Sequence, residues 1–98
     1  MVKHVIIWSL KEDIADKAGL ISEIKEKLEA LVGKIEGLLE MKIITNGLPS
    51  SKGDLMLDST FVDEAALKYY ASHPEHVAIA DGLVRPNVAS RAAYDYEI

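Results

Sequence analysis

The chain contains no cysteine. Disulfides, thiolate zinc sites and a cysteine nucleophile are thereby excluded. It also lacks any excess of positive charge: 11 Lys and Arg stand against 16 Asp and Glu, interspersed, for a net charge of −5. With no basic stripe to neutralise phosphates, neither nucleic acid nor an anionic membrane is an expected partner. Long hydrophobic runs are missing too. The longest early one, Val5-Ile6-Ile7-Trp8, is too short for a signal-peptide core and far too short to span a bilayer, which predicts a cytoplasmic location. There is no phosphate-binding glycine loop, nucleophile elbow or carboxylate cluster with metal-ligand spacing. Phosphoryl and acyl transfer are therefore disfavoured, and neither a metal site nor a cofactor is expected.

What is present suits one globular domain over residues 1–98, with 49% hydrophobic residues and no repeat or low-complexity tract. Val2 to Leu10 alternates as a strand, placing Val2, His4, Ile6, Trp8 and Leu10 on one face and Lys3, Val5, Ile7 and Ser9 on the other. Both faces are largely apolar. A two-layer domain buries only one face of its sheet, so the second calls for a cover, most simply a partner subunit. From Asp16 to Val32, apolar residues at three- and four-residue spacing (Leu20, Ile24, Leu28, Leu31) predict a helix whose charged face is solvated and laced with Glu–Lys pairs. Gly33 and Gly37 bracket its exit. Leu39 to Thr45 and Asp54 to Phe61 then read as a hairpin, the uneven alternation of the later strand suggesting a place near the sheet edge. Asp63 or Thr60 caps a short helix over residues 64–70, a second helical piece follows Pro74, and Pro86 ends it. Ala89 to Ile98 closes the chain as a strand with one aromatic face (Tyr94, Tyr96) and one polar face (Arg91, Asp95, Glu97). The order βαββαβ predicts an α+β, ferredoxin-like protomer: a four-stranded antiparallel sheet with its helices on one face.

Chemistry concentrates in Tyr69-Tyr70-Ala71-Ser72-His73-Pro74-Glu75-His76-Val77, where two of the three histidines flank a proline beside paired tyrosines. Proline is tolerated at a first helical position, so Pro74 opens a helix bearing His76 on its first turn, and His73 caps or flanks it. A neutral histidine both donates and accepts hydrogen bonds, and a tyrosine hydroxyl polarises a carbonyl oxygen. His76 and Tyr70 are therefore acid/base candidates, with His4 on the inner face of the first strand as a third. Each also has a plainer structural role open to it. The histidines would hold helix to sheet through hydrogen bonds, and Tyr70 and Trp8 would pack in the core.

Val2-Lys3-His4-Val5-Ile6, the Tyr70-x-x-His73-Pro74-x-His76-Val77 stretch and the closing Tyr94-Asp95-Tyr96 together resemble the stress-responsive A/B barrel (Dabb) family over essentially the whole chain. The resemblance implies a homodimer in which two sheet faces pack into a dimeric α+β barrel. Plant members that close linear polyketides by aldol condensation use two histidines and a tyrosine, which by motif position correspond to His4, His76 and Tyr70. A pocket tyrosine on the first helix of those enzymes falls at Leu28 here, a departure from their pattern. On this basis a small, largely apolar carbonyl compound would bind between sheet and helices against Ile6, Trp8 and Leu28, with cofactor-free acid/base chemistry by His4, Tyr70 and His76. Two other readings stand beside it, a non-catalytic stress-related binding module and a haem- or metal-dependent enzyme of the wider barrel superfamily.

Overall fold

Apolar alternation at the start of the chain does form a strand. In the computed structural model, which describes residues 1–98, β1 (Val2–Leu10) buries Val2, Ile6, Trp8 and Leu10 and leaves Ile7 exposed on the opposite face. The order continues with α1 (Lys17–Glu29), β2 (Leu38–Ile44), β3 (Leu55–Phe61), α2 (Glu64–Ser72), α3 (Pro74–Ile79), a π-helical turn (Ala80–Val84), a 3-10 turn (Arg85–Asn87) and β4 (Val88–Glu97). The strands form one antiparallel sheet in the order β2-β3-β1-β4. This is the expected ferredoxin-like protomer, with β1 paired along both edges. No helix is long and apolar enough to cross a membrane.

Local chemistry fixes the helix ends. The Asp16 carboxylate accepts the Gly19 N–H at 3.0 Å at the start of α1, and Asp63 accepts the Ala66 N–H at 2.8 Å at the start of α2, so Asp63 is the cap and not Thr60. α1 stops at Glu29, short of Val32. The chain turns there: Leu31 and Ile35 are buried in the turn, Val32 is exposed, and Gly33 and Gly37 take φ of +89° and +87°.

β3 corrects the expectation of a strand near the sheet edge, because it lies inside the sheet with β2 on one side and β1 on the other. Leu55, Leu57, Ser59 and Phe61 are buried beneath the helices, while Met56, Asp58 and Thr60 face the side without helices. Its polar residues are tolerated in mid-sheet because a neighbour satisfies them. Lys3 of β1 lies 2.5 Å from the Asp58 carboxylate and donates to the Thr60 hydroxyl at 3.1 Å. Asp58 Oδ1 is buried without a well-directed hydrogen bond, so the Lys3 charge is what compensates it. Close contact with the Asp58 carboxylate holds the Lys3 ammonium above its ordinary pKa, against the opposing pull of burial.

The true edges are β2 and β4. On β2 the Glu–Lys pairing of α1 does more than decorate a solvated face: Lys25 donates to the Ile43 carbonyl at 2.9 Å, and Glu29 accepts the Ile43 N–H at 2.9 Å. The two side chains, 2.8 Å apart, thus occupy backbone groups that an edge strand otherwise leaves open. Burial draws the Glu29 carboxyl upward, but the Ile43 N–H and the Lys25 ammonium outweigh it and hold the group below the usual carboxylate range.

The turn between α1 and β2 supplies a test. A Cβ on Gly37 would lie 2.5 Å from the Ala66 Cβ, at a backbone conformation that L residues rarely adopt, whereas one on Gly33 meets nothing within 4 Å. Gly37→Ala should therefore cost about 2 kcal/mol or more, and Gly33→Ala about 1 kcal/mol from backbone strain alone, measured by urea unfolding. Equal costs would show that contact with α2 does not constrain the turn.

Candidate active site

His73 divides the second helical region. Preceding a proline, it takes an extended conformation (φ −67°, ψ 133°) that ends α2, and its Nδ1 accepts the Glu75 N–H at 3.1 Å to start α3 at Pro74. The break brings His76, on the first turn of α3, back over the last turn of α2. There its ring donates to the Ala71 carbonyl from Nδ1 at 3.2 Å. A carbonyl only accepts, so this bond assigns the proton of the neutral ring to Nδ1 and leaves the lone pair on Nε2.

Tyr70, on the buried face of α2, is 2% exposed and packs between three rings. Its ring centroid lies 4.1 Å from that of His76, 5.1 Å from that of Phe61 and 6.4 Å from that of His4. His4 reaches this group because alternation along β1 directs it to the helix side. The three candidate acid/base residues, distant in sequence, therefore meet.

They line a cleft of about 500 Å³ between β1 and β4 on one side and the α2–α3 arm on the other. Ile6 and Trp8 line it too, with Ala80 and Val84 of the π-helical turn and Arg91 and Asp95 of β4. Leu28 does not. It is 2% exposed within the core cluster, because α1 packs chiefly toward β2 while the cleft opens toward β4. Its expected contact with a ligand is thus corrected: the residue fills the core.

Sequence reading missed Asp95 as a site residue. The register pairs His4 with Asp95 across β1 and β4, and the carboxylate lies 2.5 Å from His4 Nδ1. A carboxylate on Nδ1 orients the ring and leaves Nε2 as the second available base. The Tyr94-Asp95-Tyr96 motif contained the residue, and its place on the polar face of the last strand was legible. Its partner was not, because that depends on pairing across 91 residues of chain.

The electrostatics separate the roles. Burial lowers the His76 pKa from its ordinary 6.5 and outweighs the opposing effect of the hydrogen bond to Ala71, so the imidazole is neutral at pH 7 and able to accept a proton. Burial pushes the Tyr70 phenol far above its ordinary range and keeps it protonated, and no hydrogen bond within the chain contributes to that shift. The result is a base next to a hydrogen-bond donor on an apolar wall. No three His, Cys, Asp or Glu side chains come together to hold a metal ion.

An antiparallel ferredoxin-like sheet, with a histidine-tyrosine cleft beneath a broken second helix, defines a class of small α+β domains. The chain belongs to the stress responsive A/B barrel (Dabb) domain family, whose model matches residues 2–98. Among solved structures it is similar to a dimeric protein of unknown function and ferredoxin-like fold from Bacteroides fragilis, at 34% identity and a TM-score of 0.89, covering 99% of this chain and 95% of that one. A Dabb family protein with a ferredoxin-like fold from Mesorhizobium loti shares 21% identity at a TM-score of 0.80, with 99% and 95% coverage. The hydroxynitrile lyase of Passiflora edulis shares the fold at 19% identity and a TM-score of 0.81, with 99% and 92% coverage. Among curated proteins none matches the chain.

The His76 environment predicts a pH dependence of stability. Its folded pKa lies below the unfolded 6.5, so as pH falls under 6.5 the unfolded chain takes up a proton that the folded chain resists. His76 thus contributes stability that is present above 6.5 and lost as pH falls through the folded value. Unfolding free energies of the wild type should decline across this window, and those of His76→Gln should decline less. An NMR titration placing His76 at or above 6.5 would contradict the assignment.

Proposed function

We propose that each protomer binds a small, largely apolar carbonyl compound in this cleft and carries out cofactor-free acid/base chemistry on it, of a cyclase, lyase or isomerase type. The observation that carries the reading is the convergence of His4, Tyr70 and His76 on one cavity, with the ring centroids of a neutral imidazole and a protonated phenol 4.1 Å apart. In this scheme His76 Nε2 removes a proton alpha to the carbonyl, and the Tyr70 hydroxyl donates to the oxygen on which enolate charge develops. His4, held by Asp95, serves as the second proton carrier, returning a proton where the new bond or the leaving group requires one. Ile6 and Trp8 supply the apolar wall. The aldol closure of a polyketide is one reaction that this set of groups supports.

A second reading is favoured by the hydrogen bonds from each histidine to Asp95 or to the Ala71 carbonyl, which are what a purely structural role also needs. In that case the protein is a binding module. Substitution distinguishes the two on any carbonyl substrate found to turn over. His76→Ala and Tyr70→Phe should each lower kcat by roughly a hundredfold or more, while Tyr70→Phe leaves stability near the wild-type value. His76→Gln, which keeps hydrogen-bonding capacity without useful basicity, should restore folding but not activity. Turnover surviving in all three variants would remove His76 and Tyr70 from the chemistry, whereas carbonyl compounds that bind the wild type without turning over would favour the binding module.

We further propose that two protomers associate through the open face of the sheet. Register places Ile7 of β1 beside Met56 of β3 and Ala92 of β4, with Ile44 of β2 next in the same row, and Val5 beside Tyr94. Ile7, Tyr94 and Tyr96 are 42%, 72% and 43% exposed, an apolar surface that a single protomer leaves in water. The 34% identical Bacteroides fragilis protein is described as dimeric. Light scattering at micromolar concentration should give twice the 10.8 kDa chain mass, and Ile7→Asp should shift the population to monomer. A wild-type monomer would refute the dimer, and an intact Ile7→Asp dimer would move the interface elsewhere.

A further inference from the structure

Five charged side chains line the cleft, and four of them are already engaged. Glu64 and Lys68 face each other one helical turn apart, Arg85 is bonded to Asp81, and Asp95 is taken up by His4. Arg91 has no carboxylate partner and no side-chain hydrogen bond within the chain, although the protein has more acidic than basic residues to offer it. It is not placed there by accident of a flexible loop. It stands in β4 directly across from Trp8, on the same face as Asp95.

Alternation keeps Arg91 and Asp95 on one face of β4, and four residues of antiparallel strand separate them by roughly 13 Å. The cleft thus has two chemically distinct ends along one wall. At one end His4, Tyr70 and His76 present a base and a hydrogen-bond donor. At the other is a guanidinium with nothing to neutralise it, and the apolar surface of Ile6 and Trp8 runs between. A neutral compound would leave that guanidinium unused. A ligand with a carbonyl at one end and an anion at the other would satisfy both.

We propose that the cleft takes an elongated oxo acid, its carbonyl at the Tyr70–His76 end, its saturated chain along Ile6 and Trp8, and its carboxylate paired with Arg91. This rests on the carbonyl-binding reading of the cleft and narrows its substrate class to anions. The planar guanidinium offers two parallel N–H donors to a carboxylate, a geometry that discriminates an acid from its ester. The pairing is exposed on one side, so its strength falls with salt.

The test compares an oxoheptanoate, its ketone at the carbon before the terminal methyl, with the methyl ester of the same acid. Both are titrated against isotopically labelled full-length protein, in the wild type, Arg91→Gln and Arg91→Lys. The acid should bind the wild type about tenfold more tightly than the ester, a preference lost in Arg91→Gln, partly kept in Arg91→Lys and weakened by added salt. Ester affinity should be the same in all three proteins, and both ligands should shift the His76 and Tyr70 ring signals. If acid and ester bind the wild type equally and both shift those signals, the anion site is refuted and the carbonyl reading survives. If the acid binds through Arg91 without shifting them, the anion site stands and the carbonyl reading fails. Failure of both ligands to bind overturns both.

Discussion

Pairing of β1 along both of its edges is the constraint on which the rest of the structure depends. As an inner strand of the sheet, β1 has its backbone hydrogen bonds consumed by β3 and β4, so its side chains alone are free to communicate with the two layers. Strict alternation then divides them. Val2, His4, Ile6 and Trp8 face the helices, and Lys3, Val5 and Ile7 face the opposite side. One strand thereby supplies the wall of the cleft, the charge that satisfies Asp58 and the centre of the open apolar face. A slip of one residue against either neighbour would exchange those roles, directing His4 away from Tyr70 and Lys3 into the core.

The helical layer does not cover the sheet evenly. α1 lies toward β2, and the α2–α3 arm passes over the centre, leaving β4 exposed from Ala89 to Glu97. That asymmetry makes the cleft. The break at His73-Pro74 and the π-helical turn after it bend the arm so that His76, Ala80 and Val84 look toward β4 across the gap. π-helical turns are uncommon and recur at functional sites, where the extra residue re-aims a helix face. Here the turn forms the far wall of the cavity. The bond from His76 to Ala71 fixes both ring position and proton location, so local backbone geometry decides which nitrogen is basic.

Polar groups in this fold are used where the sheet would otherwise be open. Lys25 and Glu29 cover the Ile43 peptide on the edge strand β2, and Lys3 compensates Asp58 on the helix-free face. The first device keeps the β2 edge from offering unpaired backbone groups to another strand, and the second leaves no uncompensated carboxylate on the open face. They leave an apolar row on the open face, Ile44, Met56, Ile7 and Ala92, bounded toward the other end of the strands by charge.

Sequence alone determined the element types and their order, because period-two and helical spacing are local properties that the backbone enforces within a few residues. It placed His4 on the inner face of β1, opened α3 at Pro74 and gave His73 its capping role for the same reason. What it misjudged depended on pairing or packing between distant segments. β3 read as a near-edge strand because its polar positions are satisfied by Lys3, more than fifty residues away. Lys25 and Glu29 read as a solvated pair because nothing local announces that β2 runs beside them. Leu28 followed a motif into the site, while the packing direction of α1 put it in the core. Asp95 and Arg91 had no visible partners or vacancy until the β1–β4 register aligned them with His4 and Trp8. Alternation fixes which face a side chain takes, but only tertiary pairing fixes what stands across from it, since register is set by the sum of contacts along both strands and not by either strand alone.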